Sequence, residues 1–312
     1  MKKRICFSFL LIIFNLAAIA QQDSQFSFYK LTQLTNNPGY AGSSRAISGL
    51  ILNRAQWSGL EGAPKTKLFS AESSTELWGI KSGIGINVIR DELGYQKTTL
   101  VNFNYAYLVQ TSWGDLGIGT AFGIFNKAID GDWDVPSGGS YNLNDDYRPS
   151  DDISQVAIDI GLGLYLKSPV YFAGISVTHL NQSEISFSDD AYDFYSRHFY
   201  FTGGYTILMP NPLFTLQPSV LYRTDLAGSQ TDFNIDVTYN ERFTGGIGYR
   251  INDGLIILLS VELPNGLKAG YAYDITTSAL SADSSGSHEL FLSYSFAIRK
   301  GRNKKYKSVR YL

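Results

Sequence analysis

Cysteine is almost missing: Cys6 is the only one in 312 residues. It lies inside what reads as an export signal, so a processed chain has neither a disulfide framework nor thiolate chemistry. Histidine is nearly as scarce. His179, His198 and His288 stand on three distant segments with no His-x-x-His pair, and spacing offers no transition-metal site. Long apolar runs are also lacking. Past residue 20 nothing approaches the roughly 20 residues of a membrane-spanning helix, and the best run, Leu255–Leu259, has only the length of a strand. Charged residues make up just 17% of the chain.

The first residues explain themselves as a targeting segment. Lys2, Lys3 and Arg4 precede an apolar stretch, Phe7–Leu16, broken only by Ser8 and Asn15. Ala18-Ile19-Ala20 then supplies a small-x-small cleavage site, so residues 1–20 read as a removed signal peptide. The stretch is too short for a membrane anchor. Cys6 precedes the apolar stretch instead of marking the cleavage point, which excludes a lipoprotein. Residues 21–298 then hold 16 basic and 28 acidic groups, net −12, whereas the tail 299–312 holds seven basic residues and no acid. A nucleic-acid partner would ask for a basic body, so none is expected. The tail reads either as a disordered basic extension or as a periplasmic contact with anionic head groups, peptidoglycan or protein.

What the chain has in quantity is alternation. In Thr99–Gln110, Val101, Phe103, Tyr105, Tyr107 and Val109 share one face; Asn102, Asn104, Ala106 and Gln110 share the other. Ile153–Lys167 sets Val156, Ile158, Ile160, Leu162, Leu164 and Leu166 against Ala157, Asp159, Gly161, Gly163, Tyr165 and Lys167. Leu116–Asn126 opposes Leu116, Ile118, Phe122 and Ile124 to Gly117, Gly119, Ala121 and Gly123. Near the end, Leu290, Leu292, Tyr294 and Phe296 face away from Glu289, Ser293 and Ser295. Period two marks strands with two different surroundings. Their length, about ten residues, exceeds the usual five or six and matches the 9–11 of a tilted membrane strand.

About fourteen such strands are expected, starting near residues 45, 64, 81, 96, 113, 153, 170, 197, 213, 229, 242, 254, 266 and 287. An even count suits a single-chain bacterial barrel, and closure is how a sheet crosses a bilayer without bare edges. The fold class is thus all-β: a transmembrane antiparallel β-barrel over residues 45–298, with an N-terminal plug-like periplasmic segment over 21–44. Short connections, such as Lys167-Ser168-Pro169, Pro210-Asn211-Pro212 and Pro264-Asn265-Gly266, should face the periplasm. The long ones, Ala128–Asp152, Ser183–Ser196 and Thr276–Gly286, should face outward. The short turn at Asn252-Asp253 breaks this alternation. Inward-facing Gly117, Gly119, Gly161 and Gly163 leave open a lumen for solutes, so a general or small-solute channel stands as an alternative function.

Little in the chain suggests chemistry. Ser176 near His179 is the one local hint of a hydrolase, without an elbow motif or a fixed acid, and no catalytic residue is assigned. Asp130-x-Asp132-x-Asp134 copies the opening of a calcium loop, but Val135 and Tyr141 stand where Gly and Glu belong. Solvated loop carboxylates are expected there and no cofactor, with loose calcium capture between outer loops left open. Trp133, Tyr192 and Phe194 lie on these loops, and Tyr195 beside them, either packed within the loops or free to contact a partner.

Several ordered blocks remain. They are Gln22-Asp23-Ser24-Gln25-Phe26-Ser27, Asn37-Pro38-Gly39-Tyr40-Ala41-Gly42, Arg54-Ala55-Gln56-Trp57 and Gly62-Ala63-Pro64-Lys65-Thr66. Asp91-Glu92-Leu93-Gly94, Asn104-Tyr105-Ala106-Tyr107 and Ser285-Gly286-Ser287-His288-Glu289-Leu290 follow. Together they resemble the PorP/SprF family of type IX secretion in Bacteroidota, across the whole mature chain. One departure is Gly39, where that family more often has Ala. The resemblance implies an outer-membrane barrel without enzymatic activity that serves secretion, gliding motility or surface attachment. Its implied partners are a large secreted cell-surface adhesin, periplasmic secretion components, and outer-membrane lipid. Asn37, Pro38, Tyr40, Gly42, Arg54, Gln56, Trp57, Pro64, Lys65, His288 and Glu289 are its candidate motif and partner residues. The segment ahead of the first strand is expected to fold into or across the periplasmic mouth, anchored by Phe26, Phe28 and Tyr29.

Overall fold

The computed structural model describes residues 23–130, 135–137, 140–142, 153–188 and 191–297. Fourteen long strands form one antiparallel sheet in which each pairs with its sequence neighbours. They are β1 (Ala46–Ala55), β2 (Lys65–Leu77), β3 (Ile80–Leu93), β4 (Gln96–Thr111), β5 (Gly114–Ile129), β6 (Ile153–Lys167) and β7 (Tyr171–Thr178). The second half comprises β8 (His198–Tyr205), β9 (Phe214–Thr224), β10 (Ser229–Tyr239), β11 (Phe243–Arg250), β12 (Gly254–Glu262), β13 (Leu267–Thr276) and β14 (Ser287–Ala297). β1 pairs with β14 from Ala46↔Ala297 to Ala55↔His288, and β8 pairs with β9, so the sheet closes on itself. Each strand begins within one residue of where alternation places it.

The two faces have different solvents. Ile51, Phe103, Phe122, Ile158 and Leu290 are exposed on the outer face, where lipid replaces water. Asn102, Asn104, Asp159 and Glu289, their neighbours along the same strands, are buried on the inner face. Exposed Trp78, Trp113, Tyr205, Phe243 and Phe296 gather at the mouth where β1 begins and β14 ends, in the manner of an interfacial aromatic girdle. That terminal mouth carries the connections 78–79, 112–113, 168–170, 206–213, 240–242 and 263–266. The far mouth carries the long ones, 56–64, 130–152, 179–197 and 277–286, but also 94–95, 225–228 and 251–253. The break expected at Asn252-Asp253 is therefore one of three. Gly94, Leu226 and Asn252 take positive φ there, which lets tight hairpins reverse the chain.

The lumen is occupied by residues 23–45. This segment hydrogen-bonds side chains or carbonyls of eleven of the fourteen barrel strands, a reach available only from inside. It starts at the far mouth, where Asp23 meets Thr178 and His179. It descends through a four-residue helix, Gln33–Asn36, and a 3-10 turn, Pro38–Tyr40. It leaves past Gly42 into β1 at the terminal mouth. Phe26 packs on Leu50, Leu52, Leu68 and Phe291, and the Tyr29 hydroxyl bonds Ser219 Oγ at 2.7 Å. Those aromatics thus lie deep in the lumen and toward the far mouth, not at the terminal mouth where they were expected. The reason is direction: β1 begins at the terminal mouth, so a chain leading into it from within must come from the other end.

The small residues of β3, β5 and β6 acquire a reason here. A Cβ on Gly117 would lie 2.0 Å from the Gly39 carbonyl oxygen, and one on Gly119 2.3 Å from the Gly39 amide nitrogen. They seat backbone instead of leaving open water. Gly119→Val should therefore keep the closed barrel while displacing residues 37–42. Heat-modifiable migration should be retained, and proteolysis of the N-terminal segment should accelerate over wild type; unchanged proteolysis would contradict this packing.

Candidate functional site

Motif blocks far apart in sequence converge where the lumen segment meets the first and last strands. Glu289, fully buried on β14, accepts the amide of Ser27 at 2.8 Å and that of Phe28 at 2.9 Å. Arg54, buried on β1 directly opposite Glu289 across the seam, donates to Glu289 at 3.0 Å, to Ser27 Oγ at 2.7 Å and to Asp274 at 2.6 Å. Ser27 Oγ in turn donates to Asp274 at 2.7 Å. Arg250 extends the network with 3.1 Å contacts to Asp274 and Asp232. Charges this deep require partners on every side, and here each acid meets a guanidinium. Period-two placement on the inner face was the signal that could have singled out Asp232, Arg250 and Asp274.

The second block shapes the turn. Asn37 Oδ1 accepts the Gly39 amide at 2.9 Å, capping the 3-10 turn, while its Nδ2 donates to the Leu164 carbonyl at 2.9 Å. Pro38 occupies the first position of that turn, where a missing N–H costs nothing. Tyr40 packs edge-on against Tyr165 with ring centroids 5.0 Å apart. Gly42 donates its amide to Glu72 at 2.8 Å with φ +73, and a Cβ there would approach Gly83 Cα to 2.7 Å.

Gln56, Trp57 and Pro64 line a cavity of about 460 Å³ at the far mouth, beside Phe26, Asp91 and His198. The Gln56 amide donates to the Pro64 carbonyl at 2.9 Å, and Ser58 exchanges backbone bonds with Ser285 and Gly286 of the 277–286 connection. The Trp57 amide donates to Ser287 Oγ at 3.0 Å. Lys65 opens β2 on an exposed position, while the next residue, Thr66, bonds Asp91. His288 does not join Glu289: it lies on the outer face, its Nδ1 2.6 Å from the Tyr271 hydroxyl. Of the loop aromatics, Trp133 lies outside the described residues. The backbones of Tyr192 and Phe194 form a small hairpin with Glu184–Ser188, and Ile185 of that hairpin packs inward on Leu100 and Phe125. Of the calcium-like run, Asp130 alone is described, and it pairs with Lys97 at 3.1 Å.

Two histidines that sequence distance kept apart also meet here. His179 Nδ1 lies 2.7 Å from Asp159 and its Nε2 3.0 Å from Asp23, while Tyr200 donates to Asp23 at 2.6 Å. Burial alone would raise the Asp23 carboxyl. The imidazoles of His179 and His198 and the two hydrogen bonds outweigh it and hold the group well below the usual carboxylate range. Burial likewise disfavours the His179 cation, but Asp23 and Asp159 push its pKa up to about 9. The stabilisation is fully present below the ordinary value of 6.5 and is lost as pH rises through about 9. Ser176 does not join His179 in a relay: both His179 nitrogens face carboxylates, and Ser176 Oγ has no hydrogen-bond partner among the described residues.

Arg54→Ala should leave Glu289 and Asp274 as uncompensated buried charges, at a cost of about 3–5 kcal/mol. Adding Glu289→Gln should return part of that loss, so that the double variant unfolds at higher denaturant than Arg54→Ala alone in a titration of the detergent-solubilised protein.

Among solved structures the chain is similar to three outer-membrane proteins. Omp33 of Acinetobacter baumannii has a TM-score of 0.46 and 6% identity, covering 80% of this chain and 99% of that one. The Ralstonia pickettii toluene transporter TbuX has a TM-score of 0.48 and 11% identity, covering 85% and 93%. The KdgM porin has a TM-score of 0.36 and 10% identity, covering 80% and 99%. No match emerges among curated protein sequences. The pattern described as "Type IX secretion system membrane protein PorP/SprF" matches residues 18–294. The chain, a closed fourteen-stranded barrel of the outer membrane, belongs to the PorP/SprF family of type IX secretion system membrane proteins.

Proposed function

We propose that this barrel is a non-catalytic accessory of type IX secretion that helps export a large surface adhesin or hold it at the cell surface. The family match over residues 18–294 carries this reading. The strand arrangement supports an orientation in which the terminal mouth faces the periplasm and the far mouth, with its long connections, faces outward. A cavity of about 630 Å³ at the terminal mouth, lined by Arg45, Glu76, Lys81 and Asp115, offers mixed charge to periplasmic secretion components. The far-mouth cavity, with Gln56, Trp57 and Pro64 in its wall, offers a polar and aromatic surface to the adhesin.

The channel alternative draws on the barrel itself. The segment threaded through the lumen favours the accessory reading, because it runs between the two cavities as hydrogen-bonded chain and leaves separate spaces of about 250 and 260 Å³ beside it. Deleting the gene should remove the adhesin from the cell surface, measured by surface labelling of intact cells, and should leave small-solute uptake unchanged. Normal surface adhesin together with ready liposome swelling by the purified barrel would establish the channel instead.

A further inference from the structure

Asp23, His179 and His198 come from three places that only the closed barrel brings together: the leading end of the lumen segment, the residue after β7 and the first residue of β8. One ligand atom from each lies within 4.8 Å of the other two. Their surroundings are those of a histidine metal site. Behind His179 stands the Asp159 carboxylate, 2.7 Å from Nδ1, so Nε2 is the nitrogen that points toward Asp23. His198 turns Nδ1 toward Asp23, 3.8 Å from Oδ2, and the same nitrogen lies 2.8 Å from the Ser196 carbonyl. A carbonyl only accepts, which puts the proton of neutral His198 on Nδ1 and a lone pair on Nε2. That Nε2 is buried and has no hydrogen-bond partner, in a residue only 4% exposed. The carboxylate behind His179 is the outer-shell partner that fixes ring orientation in metal sites, and His198 brings an unpartnered Nε2 that a ring rotation turns to an ion.

The spacing is compatible as well. Ligand nitrogens and oxygens about 2.0–2.2 Å from one ion lie roughly 3.0–3.5 Å from each other; His179 Nε2 stands 3.0 Å from Asp23 Oδ1, and His198, with Nδ1 3.8 Å from Asp23 Oδ2, closes in on binding. Two imidazoles with one carboxylate suit zinc and its neighbours, whereas calcium takes oxygen ligands. The adjoining cavity of about 460 Å³ gives an ion and its water a route in.

We propose that Asp23, His179 and His198 bind a divalent transition-metal ion of the zinc class, tying the leading end of the lumen segment to the β7–β8 wall. The ion takes the place of the proton between His179 Nε2 and Asp23, so binding releases that proton to solvent, and a water completes the coordination. Asp159 is a positioning residue that keeps Nε2 turned to the ion.

Isothermal titration of the folded, chelator-treated barrel in detergent with Zn²⁺ should show one ion bound per chain, with proton release that scales with buffer ionisation enthalpy. Ca²⁺ should give no heat. Asp159→Asn should weaken Zn²⁺ by about 10–100-fold, and His198→Gln and Asp23→Asn should weaken it further. Asp23 is outside the barrel wall, so Asp23→Asn leaves strand closure untouched, and heat-modifiable migration verifies the fold of each variant. Failure of the folded wild type to bind Zn²⁺ would overturn the proposal. So would equal affinity in folded Asp23→Asn or His198→Gln, which would mark an adventitious ion only.

Discussion

Glu289 binds two consecutive amides, those of Ser27 and Phe28, with one carboxylate, and Arg54 neutralises it from the strand alongside. Much of the interior follows from this contact. A chain inside a barrel has no sheet to join, so the N–H and C=O groups that its own turns leave free must be met by side chains. Along residues 23–45 that role passes from Glu289 to Asn234, Asn87 and Glu72, each standing on the inner face of a different strand. The polar lining that would hold water in an open pore here holds backbone.

The same constraint explains the bulk of the inner face. Where the segment is broad, as at Phe26 and Tyr29, the wall supplies apolar groups and Ser219. Where it narrows to a tight turn at Asn37–Gly42, the wall retreats to glycine at 83, 117, 119 and 163. Gly39 fits this scheme, since its own Cβ would lie 2.8 Å from the Gly117 carbonyl oxygen. An alanine at this point requires the turn to stand slightly further from β5 and β6.

The barrel was legible in the sequence because lipid outside and a polar interior impose opposite chemistry on successive residues, and that contrast survives in one dimension. Val101 to Val109 and Asn102 to Gln110 can be sorted by eye, and strand starts follow. Connection lengths were less telling, since a two-residue hairpin with a positive-φ residue fits either mouth. The depth of Phe26 and Tyr29 was hidden because a short irregular segment has no period to read. The meeting of Asp23 with His179 and His198 was hidden for another reason: it exists only after closure, when a residue ahead of β1 lies beside the β7–β8 connection. Motif resemblance placed Arg54 and Glu289 among its candidate residues without pairing them, and it grouped His288 with them, although alternation sends His288 to the opposite face.

The seam adds a consequence for assembly. Arg54 and Glu289 are opposed in register across β1 and β14, the pair of strands that closes the sheet last in chain order. Before closure, Glu289 faces a lumen without its guanidinium, and Ser27 and Phe28 lack the carboxylate that receives their amides. Bringing β14 to β1 therefore completes three things at once: the ladder of backbone bonds, the Arg54–Glu289 ion pair and the cradle for the lumen segment. A buried ion pair gives little net stability by itself, because desolvation offsets its attraction. Arg54, Glu289 and Asp274 pair within the wall, and the segment adds the Ser27 hydroxyl and two amides to the same charges. The seam thus joins wall and segment, and the blocks at the two ends of the chain form a single structural unit.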